Sequence, residues 1–225
     1  MFLREQVDYR PELALDLGCG PGRTTRLIAE VTGAALVVGL DVSEAFLAAA
    51  PRASKTAYVC ADATRTFPTD APDLVYCRLL LAHLPEPARV VESWARQLRA
   101  GGLLLLDEVE WIETPNAVLA RYEEIVTAMV ASRGAQISVG PRIADLSGAE
   151  WRQRSNAVNE YPVATADAAC MYAMNLATWR HDPFVVENYD KAVLDDLAAG
   201  LDELTSAKTT GEIAWGLRQV VYEKT

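Results

Sequence analysis

The sequence predicts an α/β fold, a doubly wound and mostly parallel sheet with helices on both faces, and three observations predict it. Short apolar runs alternate with helix-length stretches as far as about residue 110. Those runs are apolar throughout instead of alternating with polar residues, as strands covered on both faces are. The first of them, Leu13 to Leu17, breaks directly into a glycine-rich turn, Gly18-Cys19-Gly20-Pro21-Gly22, and then into a helix. In sheets of this kind a ligand lies beyond the carboxyl ends of the strands, next to that first turn.

Each element follows from its residues. After the turn, Arg23 to Val31 reads as a helix, Ala35 to Leu40 as the second strand, and Glu44 to Ala50 as a helix that Ser43 caps. Ala57 to Cys60 gives a third strand and Asp73 to Tyr76 a fourth. Pro87 to Arg99 carries apolar residues at helical spacing, and Gly101-Gly102 stops it before the fifth strand, Leu103 to Leu106. Beyond Trp111 the pattern changes to a long helix, Asn116 to Ser132, and a short one near Arg142 to Leu146, which form a helical insertion after strand five. A strand around Ser155 to Val163, helices near Asp167 to Ala177 and Pro183 to Ala199, and a last strand near Ala214 to Tyr222 complete the chain. The expected organisation is a single domain over residues 1–225, with a ligand-binding half to about residue 110 and a second half, containing the insertion, from about 111.

Composition narrows the function. The 225 residues suffice for one large α/β core, with about half of them apolar. A net charge of −10 leaves no basic field for phosphates, so nucleic acid and anionic membrane surfaces are poor partners and a small molecule is the better one. No apolar run approaches the roughly 20 residues of a membrane span, and Met1-Phe2-Leu3-Arg4-Glu5 lacks the features of a signal peptide, so the expectation is a cytoplasmic protein. Cys19, Cys60, Cys77 and Cys170 show no CxxC spacing, and with only two histidines they suggest reduced thiols in core or pocket and no metal site.

The turn glycines let the backbone adopt positive φ and let a ligand approach without an intervening Cβ. Asp16, just before them, is placed to accept an ammonium. Asp41 follows roughly twenty residues later at the end of the second strand, where a carboxylate takes ribose hydroxyls. Asp62 follows the third strand, where it can accept from an adenine amino group while Ala63 leaves room for the ring. Arg23 stands where a GxGxxG fingerprint needs its last glycine, which disfavours a pyrophosphate. These residues describe a nucleoside site.

Leu15-Asp16-Leu17-Gly18-Cys19-Gly20-Pro21-Gly22 resembles the first motif of the class I methyltransferases, and Gly39-Leu40-Asp41-Val42-Ser43 and Cys60-Ala61-Asp62-Ala63 resemble the second and third. Asp73 to Arg78, Leu81-Ala82-His83-Leu84-Pro85 and Leu98 to Gly102 continue the pattern, which is similar to small-molecule enzymes of the ubiquinone and trans-aconitate types over about residues 13 to 110. The resemblance implies a Rossmann-like, seven-stranded sheet with an antiparallel last strand, S-adenosylmethionine as cofactor, S-adenosylhomocysteine as product, and SN2 methyl transfer. It also implies that Asp16 and the backbone near Gly18 and Gly20 hold the methionine part, Asp41 the ribose, and Asp62 with Ala63 the adenine. Cys77 and Arg78 would lie beside the sulfonium, and Cys19, Arg23 and Val42 are counted with the cofactor-binding residues.

Methyl transfer demands chiefly that nucleophile, methyl and sulfur be aligned. Where a base helps, His83, Glu108, Glu110 and Tyr122 are the candidates, with His83 read more readily as structural and at most one of the two glutamates facing the pocket. Tyr122, Met129, Met171, Tyr172, Met174 and Trp179 offer an apolar, aromatic lining for an organic acceptor. Arg78, Arg121 and Arg142 are candidates for an acceptor carboxylate, although surface arginines usually pair with a protein's own acids. Only about twelve residues precede the first strand, so the expectation is that the acceptor is covered by the insertion or by a neighbouring subunit in a homodimer, or that a lid is missing. Two alternatives stand beside methyl transfer: a non-methylating enzyme, such as a cyclase, that uses the same cofactor, and a non-catalytic binding partner.

Overall fold

The computed structural model describes residues 2–206 and 212–225. Its strands are β1 (Leu13–Leu17), β2 (Leu36–Asp41), β3 (Thr56–Cys60), β4 (Leu74–Arg78), β5 (Leu103–Glu113), β6 (Trp151–Ala164) and β7 (Glu212–Lys224). They form one seven-stranded sheet in the order β3-β2-β1-β4-β5-β7-β6. The first five are parallel to one another, and β7 runs antiparallel between β5 and β6. The chain progresses outward from β1 in one direction and then from β4 in the other, so the switch point falls between β1 and β4. The α/β class, the mostly parallel sheet and the antiparallel last strand all appear as the sequence predicts.

The helices are α1 (Phe2–Gln6), α2 (Arg23–Thr32), α3 (Glu44–Ala49), α4 (Pro87–Gln97), α5 (Ala117–Ser132), α6 (Gly140–Ile143), α7 (Thr165–Trp179), α8 (Pro183–Asn188) and α9 (Lys191–Ser206). Alternate strand residues feed two cores. Leu15, Leu17, Cys77 and Leu106 pack with Val91 and Trp94 of α4 and Ile143 of α6, while Ala14, Val37, Tyr76 and Leu105 pack with Phe2 and Leu3 of α1 and Ile28 of α2. The period of two in a strand makes this division. A third core lies on the C-terminal side, where Leu119, Tyr122 and Ile125 of α5 meet Ala169 and Tyr172 of α7, Leu194 and Leu197 of α9, and Ile213 of β7.

Four elements differ from the sequence reading. The chain before β1 forms α1, whose Phe2 and Leu3 are buried against α2 and the sheet. Strand β5 runs seven residues past Leu106 because β7 pairs with it as far as Glu113↔Ala214, with a bulge between Val109 and Trp111. Strand β6 likewise extends to both sides of the expected segment through its ladder with β7. The stretch from Pro183 to Ala199 is two helices, broken at the extended Tyr189 (φ −134°, ψ 129°), after which the Asp190 carbonyl accepts the first bonds of α9. The guanidinium of Arg121 stands 5.7 Å from the Tyr189 ring and helps to hold that break. Cys19 and Cys77 are buried as expected, but Cys60 and Cys170 are exposed, and all four are free thiols. No helix among the described residues is long and apolar enough to cross a membrane.

Candidate active site

At the carboxyl end of β1 the chain turns through Gly18 (φ +68°), Gly20 (φ +51°) and Gly22 (φ +75°) into α2. Gly18 has a second constraint, since a Cβ there would come within 3.0 Å of the Leu80 side chain. The amides of Gly18 and Cys19 donate to the Leu40 carbonyl at 2.8 and 3.0 Å, which ties the turn to the end of β2. Asp41 completes the tie, its two oxygens accepting from the Gly20 and Ser43 amides, each at 2.8 Å. A carboxylate has about four acceptor sites, so each oxygen retains capacity for a ribose hydroxyl.

Gly18, Asp41, Val42, Asp62, Ala63 and His83 line a cavity of about 210 Å³ against these turns. Trp94, fully buried, donates its indole N–H to the Ala63 carbonyl at 2.7 Å and so fixes the floor. Asp62 accepts from both the amide and the hydroxyl of Thr64, at 2.9 and 2.7 Å, and these bonds hold its carboxyl below the ordinary range. Val42 is 69% exposed, an apolar side chain at the cavity lip with no covering group.

Asp16 lies beneath the turn, 1% exposed, with Oδ2 accepting from the Thr25 hydroxyl at 2.7 Å. Burial pushes it up to about 7, Thr25 pulls the other way, and the charge of Asp41 adds to the rise. None of the ion pairs among the described residues includes it, so its charged form calls for a cation. Arg23 is exposed at the start of α2, a helix whose N-terminus has no side-chain cap. Cys19 points inward, its thiol pushed up to about 12 by burial and by the charges of Asp16 and Asp41.

The loop after β4 closes the other side. Leu79 has φ +56°, a left-handed conformation that costs a non-glycine residue roughly 1–2 kcal/mol. Glu108, fully buried, secures it: Oε1 accepts from the Leu80 and Leu81 amides at 2.9 Å and from the Cys77 thiol at 3.4 Å. Burial pushes Glu108 up to about 7 against the pull of those amides. Glu108 and Cys77 are both fully buried and are not among the residues that line the two cavities at His83. Glu110 also faces away, gripping Arg218 through both oxygens at 2.6 and 2.9 Å beside α6. The sequence reading of Glu108 and Glu110 as bases and of Cys77 as a ligand neighbour therefore finds these side chains engaged in building the loop and the sheet.

His83 belongs to two cavities. Besides the nucleoside-sized one it lines a cavity of about 480 Å³ with Leu79, Tyr122, Glu123, Tyr172 and Trp179. Partial burial lowers the imidazole's pKa, and the charge of Arg133 lowers it further, both favouring the neutral form. Tyr122 stacks on Tyr172 with ring centroids 3.9 Å apart and planes 7° apart, and accepts from the Trp179 indole at 3.4 Å. Arg78 lines a third cavity, about 530 Å³, on the α1 side, where it pairs with Asp107 at 3.3 Å. There Asp107 also accepts from Tyr76 and Gln219. A larger cavity of about 660 Å³ sits at the β3 edge beside α3, away from the switch point.

Sequence reasoning missed Glu123, the Asp107 network and the strain at Leu79. For Glu123 a signal exists: it falls four residues after Leu119, three before Val126 and seven before Val130, on the apolar face of α5, whereas Glu124 faces Arg121 outside.

Comparison with known proteins bears on this arrangement. Residues 15–106 match the family described as Methyltransferase domain. A trans-aconitate 2-methyltransferase of Methylobacterium radiotolerans is 40% identical over 112 residues, 49% of this chain and 43% of that protein. The corresponding protein of Methylobacterium nodulans is 33% identical over 61% of this chain and 54% of its own. The chain thus spans about half the length of the curated relatives it matches. Among solved structures, a protein of Bacillus halodurans C-125 to which a methyltransferase role is ascribed superposes with a TM-score of 0.64 at 18% identity, over 99% of this chain and 96% of that one. At that identity the likeness establishes the fold.

Proposed function

We propose that the chain is a class I S-adenosylmethionine-dependent methyltransferase, a reading supported by the family match over residues 15–106 and by the trans-aconitate 2-methyltransferase relatives, and that it transfers a methyl group from S-adenosylmethionine to an oxygen, nitrogen or carbon atom of a small organic molecule. One observation carries the reading: a nucleoside-sized cavity and an apolar, aromatic cavity meet at His83 beside the switch point. The cofactor supplies an electrophilic methyl on a sulfonium when bound.

The residues present fit that group. Asp41 suits the ribose hydroxyls, the Ala63 floor and Val42 lip suit the adenine plane, and Asp62 suits its amino group. The carboxyl of Asp16, buried without a cation, suits the ammonium of the methionine part, and the uncapped start of α2 suits its carboxylate. The chain's remaining task is positioning, which supplies most of the acceleration in a displacement of this kind. His83, whose surroundings favour the neutral imidazole, is a candidate base that lines both cavities. The trans-aconitate named for the relatives is not carried over, since the family match ends at residue 106 and Tyr122, Glu123, Tyr172 and Trp179 lie beyond it.

Isothermal titration with S-adenosylmethionine and S-adenosylhomocysteine tests the reading, with Asp41→Ala as the variant. Saturable binding by wild type, weakened about a hundredfold or more in Asp41→Ala, is the expected result, because the variant loses the ribose acceptor and frees two turn amides. Folded wild type that binds neither nucleoside overturns it. Release of S-adenosylhomocysteine with the true acceptor separates methyl transfer from a non-methylating reaction.

A further inference from the structure

We propose that the cavity between α5 and α7 binds an organic ammonium with an apolar or aromatic body, that Glu123 is its counter-charge, and that the methyl acceptor is therefore an amine nitrogen. The methyl-acceptor part rests on the transfer reading above. The walls suit a cation. Tyr122 and Tyr172 lie stacked, the Trp179 ring is 5.5 Å from Tyr122, and Trp215 is 6.5 Å from Tyr172. Aromatic faces of this kind attract ammonium groups.

Glu123 provides the charge. It accepts from the Tyr172 hydroxyl, and none of the ion pairs among the described residues includes it. Its neighbour Glu124 is satisfied outside by Arg121 at 2.7 Å. The titratable groups that share the cavity with it are His83, Tyr122 and Tyr172, and no lysine or arginine among the described residues lines the wall. Arg133, near His83, is paired with Asp182. Burial raises the Glu123 pKa, as expected of a carboxylate that lacks a cation. An anionic acceptor would meet this carboxylate with nothing to offset the repulsion, whereas an ammonium supplies the missing partner.

The chemistry balances. The bound ammonium gives a proton to Glu123, and the freed nitrogen lone pair forms a bond to the methyl carbon. The carbon–sulfur bond breaks with its electron pair going to sulfur, which yields S-adenosylhomocysteine and the N-methylated ammonium. The proton on Glu123 leaves to water, so each turnover releases one proton.

The test is titration of the protein saturated with S-adenosylhomocysteine by four probes at pH 7.5: 2-phenylethylamine, 2-phenylethanol, 3-phenylpropionate and trans-aconitate. The amine is expected to bind at least tenfold more tightly than the alcohol, and the two carboxylates more weakly than the alcohol. Glu123→Gln, which keeps an acceptor for Tyr172, is expected to erase the margin of amine over alcohol while the S-adenosylhomocysteine affinity stays within twofold. A carboxylate that binds as tightly as the amine, a margin that survives in Glu123→Gln, or no amine binding at all overturns the proposal. The wild-type margin decides alone should Glu123→Gln not fold. Wild type that takes up no S-adenosylhomocysteine sinks the transfer reading instead, and the margin measured without the nucleoside still decides the ammonium site.

Discussion

The acids that shape the loops at the strand ends and those that join the C-terminal helices and strands have different main partners. In the half built on β1 to β5, Asp41, Asp62, Asp73 and Glu108 turn their oxygens toward main-chain amides: Gly20 and Ser43, Thr64, Leu13, and Leu80 with Leu81. In the C-terminal half, Glu123, Asp195 and Glu223 meet side chains: Tyr172, Arg180 and Arg152. The first arrangement fixes the path of loops, and the second fixes which helix and strand faces adjoin. A site made of loop backbone depends on a few glycines and acids at set positions, whereas a site made of helix faces depends on tertiary packing. Substitutions should therefore separate cleanly into those that move nucleoside affinity and those that move the acceptor cavity.

The largest expected effect that tests this division is one of pH. Asp16 and Glu108 are both held up to about 7 by burial, above their ordinary values. A carboxyl raised by folding is protonated in the native state where the unfolded chain has already lost its proton. The native state thus binds more protons between about pH 4 and 7, and the stabilisation present at low pH is lost as pH rises through that window, on the order of 3 kcal/mol per group. Urea unfolding of the ligand-free protein from pH 4.5 to 8 should show stability falling, with a flatter slope in Asp16→Asn and in Glu108→Gln. An unchanged slope in both variants would remove the buried carboxyls as its cause. Pairing of the cofactor ammonium with Asp16 should in addition release a proton on binding near pH 6, visible as a dependence of the titration heat on the buffer.

Next in size is a contrast inside the glycine turn. Gly18→Ala places a methyl in a left-handed conformation and against Leu80, whose amide Glu108 holds. Gly20→Ala meets the conformational cost alone, roughly 1 kcal/mol, since nothing lies within 4 Å of its added carbon. Titration with S-adenosylhomocysteine should show affinity reduced at least tenfold for Gly18→Ala and less for Gly20→Ala. Equal losses would mean that the approach of Leu80 does not shape the site.

The same contrast explains what could be read without coordinates. Gly18, Asp41, Asp62 and the runs from Leu13 and Leu103 announce themselves by spacing, because a parallel strand followed by a turn has few ways to be built. Even there the direction of a side chain escaped: Glu108 and Cys77 stand beside pocket residues in sequence, yet the strand period sends them into the core. In the C-terminal half the aromatic residues were visible as a lining, but Glu123 was not singled out. Its position on the apolar face of α5 matters only once α7 brings Tyr172 against it, and that pairing spans 49 residues with no local signal. The extension of β5 escaped for a related reason, since residues 107 to 113 become strand through their ladder with β7.

The smallest expected effect concerns Tyr122, which sequence reasoning placed among the candidate bases. Burial raises its pKa, so the phenol stays protonated at neutral pH and is a poor proton acceptor. Its ring, stacked on Tyr172, is what the cavity uses. Tyr122→Phe removes a hydroxyl that accepts from the Trp179 indole at 3.4 Å and from the Asn175 side chain, a loss of about 1 kcal/mol in urea unfolding. It should leave S-adenosylhomocysteine affinity within twofold and 2-phenylethylamine affinity within threefold. Tyr122→Ala opens the stack and should lower amine affinity tenfold or more, again without moving the nucleoside. If Tyr122→Phe is as damaging to amine binding as Tyr122→Ala, the hydroxyl and not the ring contacts the acceptor, and the wall assigned to Tyr122 becomes a polar one. If either variant moves the nucleoside, the two halves are coupled through His83, the residue whose side chain lines both cavities.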